Sequence, residues 1–118
     1  MKKAFTLPTC KTCVRIFEEL QPESHGCAVV DIKAEGIDAS DLDRMAKLSG
    51  SYEAVFSRRA IKFRSMGLAD QTLTEPDYRR LILEEYTFLK RPVFLFDNEV
   101  SVGSSKAEVM KAKAALGV

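Results

Sequence analysis

Thr9-Cys10-Lys11-Thr12-Cys13 places two thiols three residues apart where an extended segment gives way to a helix. Upstream, Lys3-Ala4-Phe5-Thr6-Leu7 is short and β-compatible, and Pro8 ends it. Downstream, Val14, Ile16, Phe17 and Leu20 recur at helical spacing, so a helix is expected from about Thr12 to Leu20, stopping before Pro22. The cysteines then stand at a helix N-terminus, where unpaired N–H groups and the helix dipole favour a thiolate over a thiol. Such surroundings bring a thiol pKa from about 8.5 down to roughly 3.5–7.5. The stretch reads as a redox site.

After a polar turn from Gln21 to Gly26, Ala28-Val29-Val30-Asp31-Ile32 reads as a buried strand. Strand, helix and strand in so short a span imply a parallel βαβ unit with a right-handed crossover, which sets the thiols at the carboxyl end of the first strand. From Ile37 to Tyr86 the pattern turns helical. Ser40 is the expected N-cap of a helix that presents Leu42, Met45, Ala46 and Leu48 on one face and ends at Gly50. Short helices are expected over Tyr52 to Arg59, with Val55 and Phe56 inward, and over Ile61 to Met66. Thr74 opens another, with Pro76 in its first turn, Asp77 at capping-box spacing, and Tyr78, Leu81 and Ile82 as its apolar stripe. Val93-Phe94-Leu95-Phe96 suits a strand covered on both faces, and Asp97-Asn98-Glu99 turns it into Val100-Ser101-Val102. Ser105 with Glu108 makes a capping box for a last helix whose Val109, Ala112 and Leu116 face the core. The order predicts an α/β chain with a thioredoxin-like fold: βαβ, then ββα, a mixed four-stranded sheet, and a helical insertion at about residues 38–88 of one domain spanning 1–118.

With 118 residues the chain is long enough to bury a core without metal or disulfide staples. Eighteen Lys and Arg against 17 Asp and Glu leave no global field to attract nucleic acid or an anionic membrane. Lys106, Lys111 and Lys113 read as the outer face of the last helix, without the aromatic interleaving of a nucleic-acid surface. No apolar run approaches the roughly 20 residues of a membrane span, and Met1-Lys2-Lys3 precedes too short an apolar stretch for a secretory leader, so the expected location is cytoplasmic. Three cysteines do not make a disulfide scaffold. A Cys-x-x-Cys beside a βαβ pattern instead points to thiol redox chemistry. Cys10, Cys13, His25 and Cys27 superficially supply four zinc ligands, but the first helix carries the chain about 12 Å away from the first pair. No metal is expected. His25 reads as a loop residue and Cys27 as a small hydrophobe at the start of a strand.

Three motifs in order resemble the arsenate reductase-like (ArsC/Spx) family over nearly the whole chain. They are Thr9-Cys10-Lys11-Thr12-Cys13; Phe56-Ser57-Arg58-Arg59 with Phe63-Arg64-Ser65-Met66-Gly67-Leu68; and Leu89-Lys90-Arg91-Pro92-Val93 leading to Val102-Gly103. The family includes glutaredoxin-coupled arsenate reductases and the Spx regulators that bind RNA polymerase. The resemblance implies that Cys10 is the nucleophile, that Arg59 or the adjacent Arg58 helps hold an anion, and that Arg91 precedes the family's cis-proline, Pro92. A cis bond there leaves the preceding backbone open to a substrate strand or to glutathione. Arsenate reductases carry Ser at the place of Cys13, Arg at the place of Val14, and a basic residue near Ser104 and Ser105, so this chain departs from the arsenate pattern.

Cys10, at the helix start, can accept from the N–H groups of Thr12 and Cys13, and Cys13, one turn inside, is suited to resolving a mixed disulfide. A helix terminus is worth about 2 kcal/mol at best, so a deeper thiol shift requires Lys11, Arg59 or Arg91 nearby. The leading expectation is an ArsC/Spx-family thiol-disulfide oxidoreductase, arsenate reductase-related, with no bound cofactor and glutathione, glutaredoxin or thioredoxin as electron donor. The alternative is an Spx-like switch in which Cys10–Cys13 oxidation reshapes a surface for RNA polymerase. A third reading is a protein that binds glutathione without turnover.

Overall fold

The computed structural model describes residues 2–118, and it divides into two units, one comprising the chain through Glu35 with Arg91–Val118 and the other Gly36–Lys90.

In the first unit, β1 (Lys3–Thr6) leads through Pro8 into α1 (Lys11–Leu20). Cys13, Ile16 and Leu20 form the buried stripe of α1 at the expected three- and four-residue spacing. Gln21 ends it in the left-handed region (φ 48°), its N–H bonded to the Phe17 carbonyl, and a 3₁₀ turn follows over Pro22–His25. β2 (Ala28–Asp31) pairs parallel with β1, Ala4 opposite Val29. β3 (Val93–Leu95) pairs antiparallel with β1, Ala4 opposite Phe94, and β4 (Val100–Val102) pairs antiparallel with β3. The sheet order is β2-β1-β3-β4. Ala4, Ile16, Leu20, Cys27, Phe94, Phe96, Ala112 and Leu116 close one core cluster between the sheet, α1 and the last helix (Lys106–Leu116), with the Phe17 and Phe94 rings 5.4 Å apart.

The strand over residues 28–32 differs from expectation in two respects. It is an edge strand, only half-buried or exposed along its length, because β1 alone pairs with it. It also ends one residue early: the Asp31 carboxylate accepts from the N–H groups of Lys33 and Ala34 at 3.0 and 3.2 Å, and starts a short helix, α2 (Ile32–Glu35). β3 is buried at every position, as its continuous apolar run predicts.

The second unit, Gly36–Lys90, is the helical insertion. α3 (Ala39–Ser49) buries Leu42, Met45 and Ala46 and ends at Gly50 (φ 105°), whereas Leu48 is only half-buried. Its N-cap is Asp38 rather than Ser40: the carboxylate accepts from the N–H groups of Ser40 and Asp41 at 2.8 and 3.2 Å. The helix expected over Tyr52 to Arg59 is a single 3₁₀ turn, Glu53–Val55. The Glu75 carboxylate takes the N–H groups of Tyr52 and Glu53, and Phe56 is drawn into an antiparallel bridge with Leu89, with Ser57 N–H to Phe88 O at 2.7 Å and Lys90 N–H to Val55 O at 2.9 Å. Pairing across the unit overrides local helical preference there. Val55 and Phe56 are fully buried, as expected. α4 (Ile61–Ser65) and α5 (Glu75–Glu84) follow, the latter with the Thr74–Asp77 capping box in place.

The last helix, α6 (Lys106–Leu116), departs from its expected cap by half: Ser105 Oγ accepts from Glu108 N–H at 3.3 Å, but the Glu108 carboxylate turns away to accept from Val102 N–H at 2.9 Å. It therefore ties the end of β4 to the start of α6. No helix among the described residues is long and apolar enough to cross a membrane.

Candidate functional site

β1 and α1 deliver the two thiols. Cys10 N–H bonds to Leu7 O at 2.9 Å, which turns the chain out of β1, and Cys10 O accepts from Val14 N–H at 3.0 Å as the first acceptor of α1. Cys10 is thus the N-cap of α1, in extended conformation (φ −91°, ψ 111°) and half-buried. Its side chain makes no full capping bond, but the N–H groups of Cys13 and Thr12 face the sulfur closely enough to favour the thiolate. Burial pushes the Cys10 pKa up; the Cys13 and Thr12 N–H groups, the Cys13 thiol and the charge of Arg91 together outweigh it, and the thiol lies below its ordinary value.

Cys13 is held the opposite way. It is fully buried, and burial, the hydrogen bond to the Cys10 sulfur and the charge that sulfur carries raise its pKa to about 11, against the opposing Leu7 N–H and Thr6 hydroxyl. The two thiols are therefore unequal by position alone. Thr6 and Leu7, the last residues before Pro8, carry no motif of their own; their signal is that the end of β1 must lie beside the first turn of the helix that follows it.

The first unit brings together Cys10, Lys11, Thr12, Cys13, Arg91 and Pro92. The Lys11 side chain is exposed, Thr12 and Arg91 are half-buried, and Pro92 is buried. The Arg91–Pro92 peptide bond is cis, and Pro92 O accepts from Gly103 N–H at 2.9 Å, which sets the start of β3 against the end of β4. Ser104 and Ser105, which stand where the arsenate pattern has a late basic residue, are exposed, and Val14 is 39% exposed beside the thiols.

Arg59 belongs to the other unit. It is exposed and makes no hydrogen bond or ion pair among the described residues, whereas Arg58 donates to Glu53 at 2.6 Å and to Tyr78 Oη at 2.8 Å and lies over the Tyr78 ring at 5.7 Å. Of the two arginines left open by the sequence, Arg58 is engaged within its own unit and Arg59 has its guanidinium available.

The zinc set does not assemble. His25 Nδ1 lies 2.9 Å from Gln21 O in the 3₁₀ turn, Cys27 is buried in the core cluster, and the described residues contain no group of three or more His, Cys, Asp or Glu able to hold a metal ion.

A four-stranded mixed sheet with an N-terminal Cys-x-x-Cys helix and a helical insertion defines a thioredoxin-like protein of the insertion-bearing type. The ArsC family model matches residues 5–112, and the chain belongs to the ArsC family. Among solved structures it is similar to the YffB protein (25% identity, 95% of this chain and 98% of that one, TM-score 0.79). It is likewise similar to an arsenate reductase (ArsC) related protein from Brucella melitensis (25%, 93% and 92%, 0.67). An arsenate reductase from Vibrio cholerae shares the fold at 14% identity, over 94% of this chain and 96% of that one, with a TM-score of 0.79. No curated protein matches the chain.

Proposed function

We propose that the protein is a thiol-disulfide oxidoreductase of the ArsC family, working in the reducing cytoplasm, with Cys10 as nucleophile and Cys13 as resolving thiol. The observation that carries this reading is the opposite bias of the two thiols, one held below its ordinary pKa and its neighbour up at about 11. Such a pair gives up one proton more readily than an ordinary thiol and keeps the second in reserve.

The Cys10 thiolate attacks one sulfur of a substrate disulfide, the substrate S–S bond breaks, and one substrate thiolate leaves. In the mixed disulfide Cys10 carries no charge, so two of the effects that raise Cys13 disappear while the Thr6 and Leu7 donors remain. Cys13 then attacks the Cys10 sulfur, its proton passing to the departing second substrate thiolate. The product is a Cys10–Cys13 disulfide, and two electrons have moved to the substrate. Glutathione, glutaredoxin or thioredoxin returns them. Lys11, Thr12 and Arg91–Pro92 form the approach to Cys10, and Arg59 is the insert's candidate for holding an anionic group. An apolar Val14 and the serines at 104 and 105 argue against arsenate as the dedicated substrate.

The test is the rate of iodoacetamide alkylation of Cys10 against pH, together with disulfide turnover by Cys10→Ser and Cys13→Ser variants. A titration below the ordinary thiol range, loss of turnover in the first variant and arrest at the mixed disulfide in the second are expected. Full reductase activity in Cys10→Ser, or an ordinary Cys10 titration, overturns the reading. Oxidation-dependent capture of RNA polymerase without turnover would assign the same thiols to an Spx-like switch.

A further inference from the structure

A groove of about 450 Å³ runs along α1, with Thr6, Pro8 and Val14 at the end nearer the thiols and Gln21 and Pro22 at the other, neither cysteine itself lining it. Pro8, Val14, Phe17 and Pro22 supply its apolar lining, and Glu18 and Glu23 its charged groups. At 100° per residue, Val14, Phe17, Glu18 and Gln21 fall on the side of the helix that leads back to Cys10, so the groove and the Cys10 end of α1 share one helix face. Its volume lies within the roughly 300–1,000 Å³ range of ligand sites.

Its far end is negative and unbalanced. α1 has no basic residue in its last turn, and Glu18 stands there, where the helix dipole favours a cation. Glu23 follows in the adjoining 3₁₀ turn. Neither carboxylate makes an ion pair among the described residues. Two exposed carboxylates beside an apolar groove make this end of it negative, with Lys2 Nζ directed to the His25 carbonyl at 3.5 Å and in no ion pair with either carboxylate.

We infer that the groove holds the peptide segment flanking the reducible cysteine of a substrate protein, an apolar side chain against Val14 and Phe17 and a Lys or Arg side chain reaching Glu18 and Glu23. This rests on the oxidoreductase reading and names the substrate class for it: a protein disulfide with an apolar-basic flank, not an anionic small thiol. At 1.5 Å per residue Val14 and Glu18 lie about 6 and 12 Å along the helix from Cys10. An extended peptide at about 3.3 Å per residue covers those distances in about two and four residues. The recognised pattern is therefore a cysteine, an apolar residue two places away and a basic residue four places away.

The experiment uses the full chain as Cys13→Ser, so that reaction stops at the first step, and the peptides Cys-Gly-Leu-Gly-Lys and Cys-Gly-Leu-Gly-Glu with their reversed sequences. Each peptide is supplied as its mixed disulfide with thionitrobenzoate. The Cys10 thiolate attacks the peptide sulfur, a Cys10–peptide S–S bond forms, the old S–S bond breaks and coloured thionitrobenzoate leaves with the electron pair. In at least one chain direction the Lys peptide should react about tenfold faster than the Glu peptide at low salt, the size expected for replacing attraction by repulsion at an exposed charged rim. In a Glu18→Gln, Glu23→Gln variant the ratio should fall below about twofold. Equal rates for the two peptides, or a ratio that survives the double substitution, overturn the inference. Silence toward all peptides and toward the symmetric thionitrobenzoate disulfide would sink the oxidoreductase reading instead. The groove is then read without chemistry, by NMR titration of peptides carrying Ser for Cys: shifts at Val14 and Phe17 with the Lys peptide alone support it, and none overturn it.

Discussion

Cys10 and Cys13 are biased apart partly by the same contact, because the Cys13 thiol that lowers Cys10 is itself raised by the sulfur it faces. Removing that thiol therefore does more than delete a resolving group. Cys13→Ala should move the Cys10 alkylation midpoint upward, since Cys10 keeps its burial and loses its largest side-chain support. Arg91→Gln should move it upward by less, because a charge at a distance is the smallest of the favourable effects. A midpoint unchanged in both variants would leave the helix N-terminus as the whole cause. The sign of the stability effect follows from Cys13. Its folded pKa, about 11, lies above the ordinary 9.0, so the folded state holds a proton that the unfolded state releases first. That contribution is complete below pH about 9 and is lost as pH rises toward about 11. Urea melts of the reduced protein should weaken over this window more steeply than those of Cys13→Ala.

At the scale of elements, the cap and turn departures from the sequence reading arise where a backbone group is taken by a different side chain or strand, near or far in the chain, from the one the reading assigned. Asp38, not Ser40, caps α3, because the Asp38 carboxylate reaches two N–H groups and the Ser40 hydroxyl itself donates to Asp38. Asp38→Ala should cost about 0.5–2 kcal/mol in a urea melt, while Ser40→Ala should cost a few tenths, and the reverse order would contradict the cap assignment. The paired arginines divide in the same manner. Arg58→Ala loses an exposed ion pair and a ring contact, about 0.5–1 kcal/mol, and Arg59→Ala should leave stability unchanged while remaining free to alter reactivity toward anionic substrates. The strands, the hairpin after Phe96, the Thr74–Asp77 cap and the cysteine-bearing helix were legible because periodicity and turn residues act locally. The Phe56–Leu89 bridge was not, since its partners lie far apart in the chain and nothing near Phe56 announces an extended residue. In the site, the thiols, Arg91 and Pro92 could be read from spacing and motif, but Thr6 and Leu7 could not, because their part is a contact made by strand geometry. Likewise the α1 groove becomes visible only when Pro8 and Pro22 are brought to the same helix face.

For the whole molecule, a formal net charge of +1 means that no long-range field gathers anions or cations toward the thiols. The two units are each close to balanced, so any charge selectivity must come from within a Debye length of the site, about 10 Å at 0.1 M salt. Near Cys10 the local cations are Arg91, whose charge lowers the thiol, and the exposed Lys11 beside it in sequence, while Glu18 and Glu23 lie further along the α1 groove. Alkylation by neutral iodoacetamide and by anionic iodoacetate separates the local from the global contribution. The iodoacetamide rate, measured well above the Cys10 titration, should be nearly independent of salt. The iodoacetate rate should exceed what its intrinsic reactivity gives at low salt and fall by about twofold to fivefold between roughly 0.01 and 1 M, where the Debye length shrinks from about 30 to 3 Å. In Arg91→Gln the salt dependence of iodoacetate should fall well below that of the unsubstituted protein, because the more distant charges cancel and only Lys11 remains beside the thiolate. A twofold to fivefold salt effect surviving in that variant would mean that other cations face the thiolate, and a systematic substitution of the exposed lysines and arginines, beginning with Lys11 and Arg59, would identify which.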